Sequence, residues 1–319
     1  MKKDFLSFEP FAKAELQSML DLSIWVKKER PRNFKPLADK TAALIFEKPS
    51  LRTHVSFEVG ILQLGGQSVY LAGSTIGINT RESIKDVAVV LSQYNDVIVI
   101  RTFSHAIVEQ LAAYASIPVI NALTDLLHPC QVMADAMTLM ELGRFSPSTK
   151  IVFVGDGNNM VNSWLELAAK FPFHFVIAAP AGYDPDPAIL NRAQHAGVSA
   201  IEIVHDPLEA ATDADVLYTD VWVSMGQEEE RAARTQAFNG YQINAALLKR
   251  AQKDCVVMHC LPAHRGEEIT SDVLEGSQSV VLPQAQNRLH VQKGILAYLH
   301  GARMPARYED VVTNEPVFI

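Results

Sequence analysis

The sequence predicts an α/β protein of two doubly wound domains, each a parallel β-sheet flanked by helices. Three observations predict it. Ten short apolar, β-rich runs recur along the chain, and most are separated by segments long enough to hold a helix. The 319 residues also exceed the size at which a single core usually stops growing. Near-continuous apolar strands alternating with helices belong to parallel sheets covered on both faces. Ten strands suit two sheets of about five better than one.

In chain order the runs are TAALIFE (41–47), SVYLA (68–72), DVIVIRT (96–102), IPVINAL (117–123) and KIVFVGD (150–156). They continue with FHFVIAAP (173–180), AIEIVHD (200–206), DVLYTDVW (215–222), CVVMHCLP (255–262) and SVVLP (279–283). GRFSPSTK (143–150) reads as the boundary between domains. Gly143 can end the preceding helix, and the Ser-Pro-Ser-Thr cluster reads as a linker.

Hydrophobic residues make up 48% and charged residues 20%, as in ordinary globular chains. Apolar runs such as FVIAA fall far short of the roughly 20 residues of a membrane span. MKKDFLSFEPF has neither the apolar stretch nor the cleavage site of a signal peptide, so a cytoplasmic, membrane-free protein is expected. A formal charge of −8 argues against nucleic-acid binding, while leaving room for a local basic pocket. Cys130, Cys255 and Cys260 fit neither a disulfide framework nor zinc-type spacing; no metal and no cofactor are expected.

In open parallel sheets, ligands bind where strand ends lead into helices, and several strand ends here carry unusual polar residues. After TAALIFE, Pro49 ends the strand, and Val55, Glu58, Val59 and Leu62 begin a helical period that closes at Gly65-Gly66. Ser50 or Thr53 then sits near the N-cap, where free amides and the helix dipole favour an anion. Arg52 adds a forked cation matched to phosphate oxygens. The alternative is a plain cap beside a solvated arginine.

Arg101 follows four apolar strand residues and needs a distant carboxylate or a bound anion. In LLHPCQVMADAMTLMELG, Pro129 suits the first helical position, and Met133, Met137 and Met140 mark a core face. His128 and Gln131 stand at that helix entrance, able to hydrogen-bond a carbonyl or amide. GDGNNM (155–160) lacks the third glycine of a dinucleotide fingerprint; Asn158 and Asn159 offer amides there instead. Asp220 at the end of its strand, ahead of the loop Ser224-Met225-Gly226, suits an ammonium group. Glu228, Glu229 and Glu230 read as first-turn residues matched to a helix dipole rather than as metal ligands. In VVMHCLPAHRG, a Cys-His nucleophile pair is disfavoured because adjacent strand residues point to opposite faces; Cys260 reads as a soft polar contact. Arg288 is read as standing in a helix's first turn, where a cation is disfavoured unless an anion is present.

Together, FEKPSLRTHVSFE, HPCQVMAD, GDGNN, DVWVSMG and HCLPAHRG closely resemble the ornithine carbamoyltransferase family, in the family's order and across most of the chain. Aspartate-specific relatives show H-P-T-Q and H-P-L-P-R in place of HPCQ and HCLPA. The resemblance implies two α/β domains with a C-terminal helix crossing back to the first: 1–143 plus 288–319 for carbamoyl phosphate, and 150–287 for L-ornithine. It implies that Ser50, Leu51 (through its backbone), Arg52 and Thr53 hold the phosphate, with Arg101 also contacting the ligand. His128 and Gln131 would address the carbamoyl group, and Cys260, Leu261 and Arg288 would complete this subsite. Arg52, Arg101, His128 and Cys260 form the implied catalytic set. Asn159, Asp220, Ser224 and Met225 would hold ornithine by its α-amino and α-carboxylate groups. Family members are trimers or multiples of trimers with shared active sites. The same motifs serve arginine synthesis and breakdown. Two departures stand out: His54 replaces a usual arginine, and Gly77 aligns with a residue that a neighbouring subunit contributes, a role open to Thr75, Asn79 or Arg81.

Overall fold

The computed structural model describes residues 2–29, 31–78 and 80–305; Asn79 lies outside them. The described residues form nine strands: β1 (Thr41–Phe46), β2 (Gln67–Ala72), β3 (Val97–Arg101), β4 (Val119–Leu123), β5 (Lys150–Val154), β6 (His174–Ala178), β7 (Ala200–Ile203), β8 (Val216–Thr219) and β9 (Val256–His259). One sheet runs β2-β1-β3-β4 and the other β7-β6-β5-β8-β9. Every ladder is parallel, so each connection is a crossover, and helices supply most of them. The two doubly wound sheets of the expected α/β class are thus present.

The run SVVLP is not a tenth strand. Ser279 makes a single bridge to Val257, and the helix Val281–Leu299 begins two residues later. Pro283 explains the choice: it cannot donate to a ladder, but in a first helical turn its missing N–H costs nothing.

One compact unit is built from the chain up to Met137 and again from Asn287; the other spans Thr138–Gln286. The helix Val281–Leu299 therefore starts in the second unit and returns the chain to the first, as expected of the C-terminal helix. Helix Pro129–Glu141 also carries the chain across a unit boundary, and Gly143 ends it. At φ +67° that glycine lets its own N–H reach Met140 O (3.1 Å) and the Arg144 N–H reach Leu139 O (2.7 Å).

In the first unit, β3 is buried throughout, whereas the edge strand β2 leaves Val69 and Tyr70 exposed. The C-terminal helix docks on helix Lys13–Glu29 at Gly294. A Cβ there would stand 1.9 Å from Ser23 Oγ and 2.8 Å from the Met19 carbonyl. In the second unit, Trp164 packs against Phe173, Phe175 and Tyr218, and Tyr218 stacks on Phe153. Gln284 ties two strand ends there, donating to Tyr218 Oη (3.1 Å) and accepting from the His259 N–H (3.0 Å). Among the described residues no helix is long and apolar enough to cross a membrane.

The Gly294 contact gives the first expectation. Gly294→Ala overpacks a close helix approach and should lower stability by about 1–3 kcal/mol, read as a reduced urea midpoint. An unchanged midpoint would show that the two helices separate at no cost.

Candidate active site

In an open parallel sheet the binding crevice lies where strand order reverses. The first sheet reverses between β1 and β3, the second between β5 and β8. Ser50 to Thr53 and Arg101 follow β1 and end β3; GDGNN and Asp220 follow β5 and β8.

In the first unit, Ser50 is the N-cap of helix Leu51–Gln63, its extended backbone (φ −162°) letting its Oγ accept from the Thr53 N–H at 3.2 Å. Leu51, the first helical residue, exposes 76% of its surface. Its side chain is not core, and its backbone amide is one of the first-turn N–H groups that a helix leaves without an intrahelical partner. Thr53 is fully buried and gathers the cations. Its Oγ1 accepts from Arg288 Nη2 at 2.6 Å and from Arg101 Nη1 at 3.4 Å. Arg288 also donates through Nη1 to Gln131 Oε1, and Gln131 Nε2 donates to Asp135 at 2.8 Å.

The structure corrects the position of Arg288. The helix begins at Val281, two turns before it, so Arg288 is a buried mid-helix residue and not a first-turn cation. Its need for partners comes from burial, not from the helix dipole. His128, just before helix Pro129–Glu141, is buried as well. Burial first, then the guanidiniums of Arg288, Arg101 and Arg52, hold its imidazole well below the usual histidine range. A neutral imidazole beside three cations is suited to an anionic ligand with a carbonyl to be polarised.

In the second unit, Asn158 caps helix Asn159–Ala168, its Oδ1 accepting from the Met160 N–H at 2.9 Å. Its Nδ2 donates to Asp220 Oδ2 at 3.0 Å, while Cys260 Sγ donates to Asp220 Oδ1 at 3.0 Å. Asp220 thus joins three strand ends. Asn159 is the first residue of the helix, while its neighbour makes the contact to Asp220. Ser224 and Met225 lie in a loop pinned by the Ser224 N–H to Gln227 Oε1 at 3.1 Å, with Met225 exposed. Leu261 takes the rare left-handed φ of +57°. His259 holds it there, donating through Nε2 to Glu268 Oε1 (2.9 Å) and accepting the Leu261 N–H at Nδ1 (2.9 Å). His259 and Cys260 therefore serve different partners, and no Cys-His nucleophile pair forms. The acids at 228–230 begin as a short 3-10 helix, and Glu230 holds Arg234 at 2.8 Å.

Sequence reasoning missed Arg234 and Asp156. Arg234 is buried and donates to Asp156 Oδ2 (2.9 Å) and the Trp222 carbonyl (3.2 Å), with its guanidinium 5.2 Å from the Tyr183 ring centre. It ties the segment after the Ser-Met-Gly loop to the end of β5. Burial pushes the Asp156 carboxyl up to about 6, against the lowering pull of Arg234. Between Asp156 and the cap residue Asn158 the chain has Gly157, where a Cβ would stand 2.4 Å from the Asp184 backbone.

The two departures are also resolved locally. His54 stacks on Tyr70 (4.2 Å between ring centres) with its Nε2 3.2 Å from the Glu58 carboxylate. Gly77 adopts φ +64° in a turn whose carbonyl accepts from Thr80, Arg81 and Glu82, so glycine there answers a backbone demand. Thr75 and Arg81 are exposed beside it.

Residues 3–141 match the carbamoyl-phosphate-binding domain model of the aspartate/ornithine carbamoyltransferases, and residues 148–299 match that family's aspartate/ornithine-binding domain model. The chain is 54% identical over 303 residues to the ornithine carbamoyltransferase of Chlorobaculum tepidum, covering 93% of this chain and 90% of the relative. The solved structure of the Pyrococcus furiosus ornithine carbamoyltransferase superposes with a TM-score of 0.89 at 44% identity, over 95% of this chain and 98% of that one. An N-acetyl-L-ornithine transcarbamylase structure matches at 29% identity and a TM-score of 0.83, covering 93% and 99%. On both domain models and on relatives this similar along almost its whole length, the chain belongs to the aspartate/ornithine carbamoyltransferase family and is a carbamoyltransferase.

Proposed function

We propose that this enzyme transfers the carbamoyl group of carbamoyl phosphate to the δ-amine of L-ornithine, giving L-citrulline and phosphate. The observation that carries the first half is the gathering of Arg101 and Arg288 on Thr53, at a helix N-terminus, around a neutral His128. Asp220, held by Asn158 and Cys260 at the second sheet's reversal, supports an amino-bearing acceptor. Relatives named for ornithine, at about half identity, favour that acceptor over its N-acetyl form.

In this reading the phosphate sits on the Ser50 to Thr53 amides with Arg52, Arg101 and Arg288, while His128 and Arg101 donate to the carbonyl oxygen. Gln131 addresses the carbamoyl amide, and the Leu261 backbone and Cys260 complete that subsite. Asn159, Asp220, Ser224 and Met225 hold the ornithine head group. The neutral δ-amine attacks the carbonyl carbon, a C–N bond forms, and the tetrahedral intermediate expels phosphate as the C–O bond breaks. The departing phosphate takes the amine proton, so no acyl-enzyme and no separate base are needed. Positioning and oxyanion stabilisation then supply the acceleration. We assign the reaction to the cytoplasm, with no resident cofactor. A citrulline assay with ornithine, N-acetylornithine and putrescine tests the acceptor; preferential turnover of either alternative over ornithine overturns the assignment.

A trimeric assembly fits the same reading. Helix Leu51–Gln63 exposes Leu51, Val55 and Leu62, and the edge strand β2 exposes Val69 and Tyr70. Apolar residues in this density beside an unpaired strand edge suit coverage by a second copy. Sedimentation equilibrium should return three times the chain mass or a multiple of it; a monomer would remove this part of the proposal.

Two variants should fail in opposite ways. Arg52→Gln should cut kcat/KM for carbamoyl phosphate by about 10²–10³, the usual loss for one charge-stabilising donor. Asp220→Asn should raise the ornithine KM by about tenfold or more, one lost charge-assisted contact, while leaving carbamoyl phosphate binding intact. Swapped effects would reverse the two half-site assignments.

His128 also predicts a pH effect. Its folded pKa lies below the unfolded value, so the unfolded chain binds more protons in that window. Stability contributed there is present above the unfolded value near 6.5 and is lost as pH falls through the folded one. Unfolding free energy should rise toward pH 6.5 with a slope of at most about 1.4 kcal/mol per pH unit from this group. His128→Asn should flatten that rise; an equal slope in both proteins would place the imidazole in an ordinary environment.

A further inference from the structure

The turn His264-Arg265-Gly266-Glu267-Glu268 closes through the Glu267 N–H to His264 O (2.9 Å) and the Gly266 N–H to Ile269 O (2.9 Å). It brings His264, Glu267 and Glu268 together, with one ligand atom from each within 4.8 Å of the others. Three buried atoms in this turn have no hydrogen-bond partner: His264 Nδ1, Glu267 Oε2 and Glu268 Oε2. Glu268 is the strongest of these observations. Its side chain is fully buried, and only Oε1 is engaged, accepting from His259 Nε2 (2.9 Å) and the His264 N–H (2.6 Å). Leaving a carboxylate oxygen buried without a donor or cation is costly.

We infer that His264, Glu267 and Glu268 form a binding site for one divalent first-row metal ion. His264 Nδ1 and Glu267 Oε2 are 3.6 Å apart. That is too far for a hydrogen bond, and a water donating or accepting tetrahedrally would hold its partners about 4.7 Å apart. Two ligands on one tetrahedral ion, each at roughly 2.1 Å, stand about 3.4 Å apart, close to the 3.6 Å found. One imidazole and two carboxylates suit a borderline ion such as Zn(II) or Co(II), with an open position for water. Each carboxylate is already oriented through its other oxygen, Glu267 by Arg231 and Glu268 by His259, as ligating carboxylates are. The side chains of His264 and Glu267 are 40% and 28% exposed, which gives the ion a way in. Bound there, the ion fixes the turn that shares Glu268 with His259, and so steadies the segment carrying Cys260 and Leu261.

The chelator-treated, desalted full-length protein should bind one Zn(II) per chain by titration calorimetry, and a large excess of Zn(II) should raise Tm by several degrees. Co(II) should bind in the same ratio without thiolate charge-transfer absorption. His264→Ala and Glu267→Gln, both at partly exposed positions, should each abolish this binding, while Cys260→Ser should retain it. Absence of stoichiometric binding in the wild type overturns the proposal. So does binding that survives in both turn variants, or binding lost only in Cys260→Ser, which would place the ion on Asp220, His259 and Cys260.

Discussion

The first unit is organised around a concentration of positive charge that its fold must tolerate. Arg101 and Arg288 are both almost fully buried, and both donate to a single threonine hydroxyl. Like charges this close repel, and burial removes the water that would screen them. The surrounding residues offset part of that cost. Thr53 Oγ1 and Gln131 Oε1 accept from Arg288, and Gln131 is itself held by Asp135. His128 responds by staying neutral, because a fourth cation there would be the most costly of all. A doubly charged anion placed at this point relieves the repulsion. The binding preference is therefore built in before any ligand arrives.

The second unit repeats the topology with the opposite sign. Its sheet also reverses order between neighbouring strands, yet the residue at the reversal is Asp220, tied to an amide and a thiol rather than to guanidiniums. A buried arginine nearby, Arg234, is already matched by Asp156 and Glu230. This pairing keeps its charge from cancelling Asp220 and anchors the segment behind the Ser224-Met225 loop. One architecture thus offers cationic and anionic crevices, and the loops after the strands decide which.

Much of this was legible in the sequence because it is local. Strand runs, the Ser50 cap, the helix entrance at His128 and the strand-end Asp220 all depend on residues a few positions apart. What escaped depends on partners far along the chain or on where an element starts. Arg234 and Asp156 are 78 positions apart, and nothing near either residue announces the other. SVVLP has the composition of a strand, but Pro283 makes it a helix start, which in turn moved Arg288 from a first turn to a helix middle. Asn158 and Asn159 are indistinguishable by type; it is the structure that identifies Asn158 as the cap and as a donor to Asp220.

A histidine at position 54 fits the same charge balance. The ring is committed to Tyr70 and Phe46 on one side and to Glu58 along its own helix. It contributes packing rather than a permanent charge. With three guanidiniums already around His128, a fourth would add repulsion in the empty state and attraction only when an anion is bound. A packed ring there adds no guanidinium to those of Arg52, Arg101 and Arg288. Those three are supplied by separate elements, the helix after β1, the end of β3 and the C-terminal helix. The return of the last helix to the first unit is then required by the site as well as by the packing at Gly294, since it delivers the third cation.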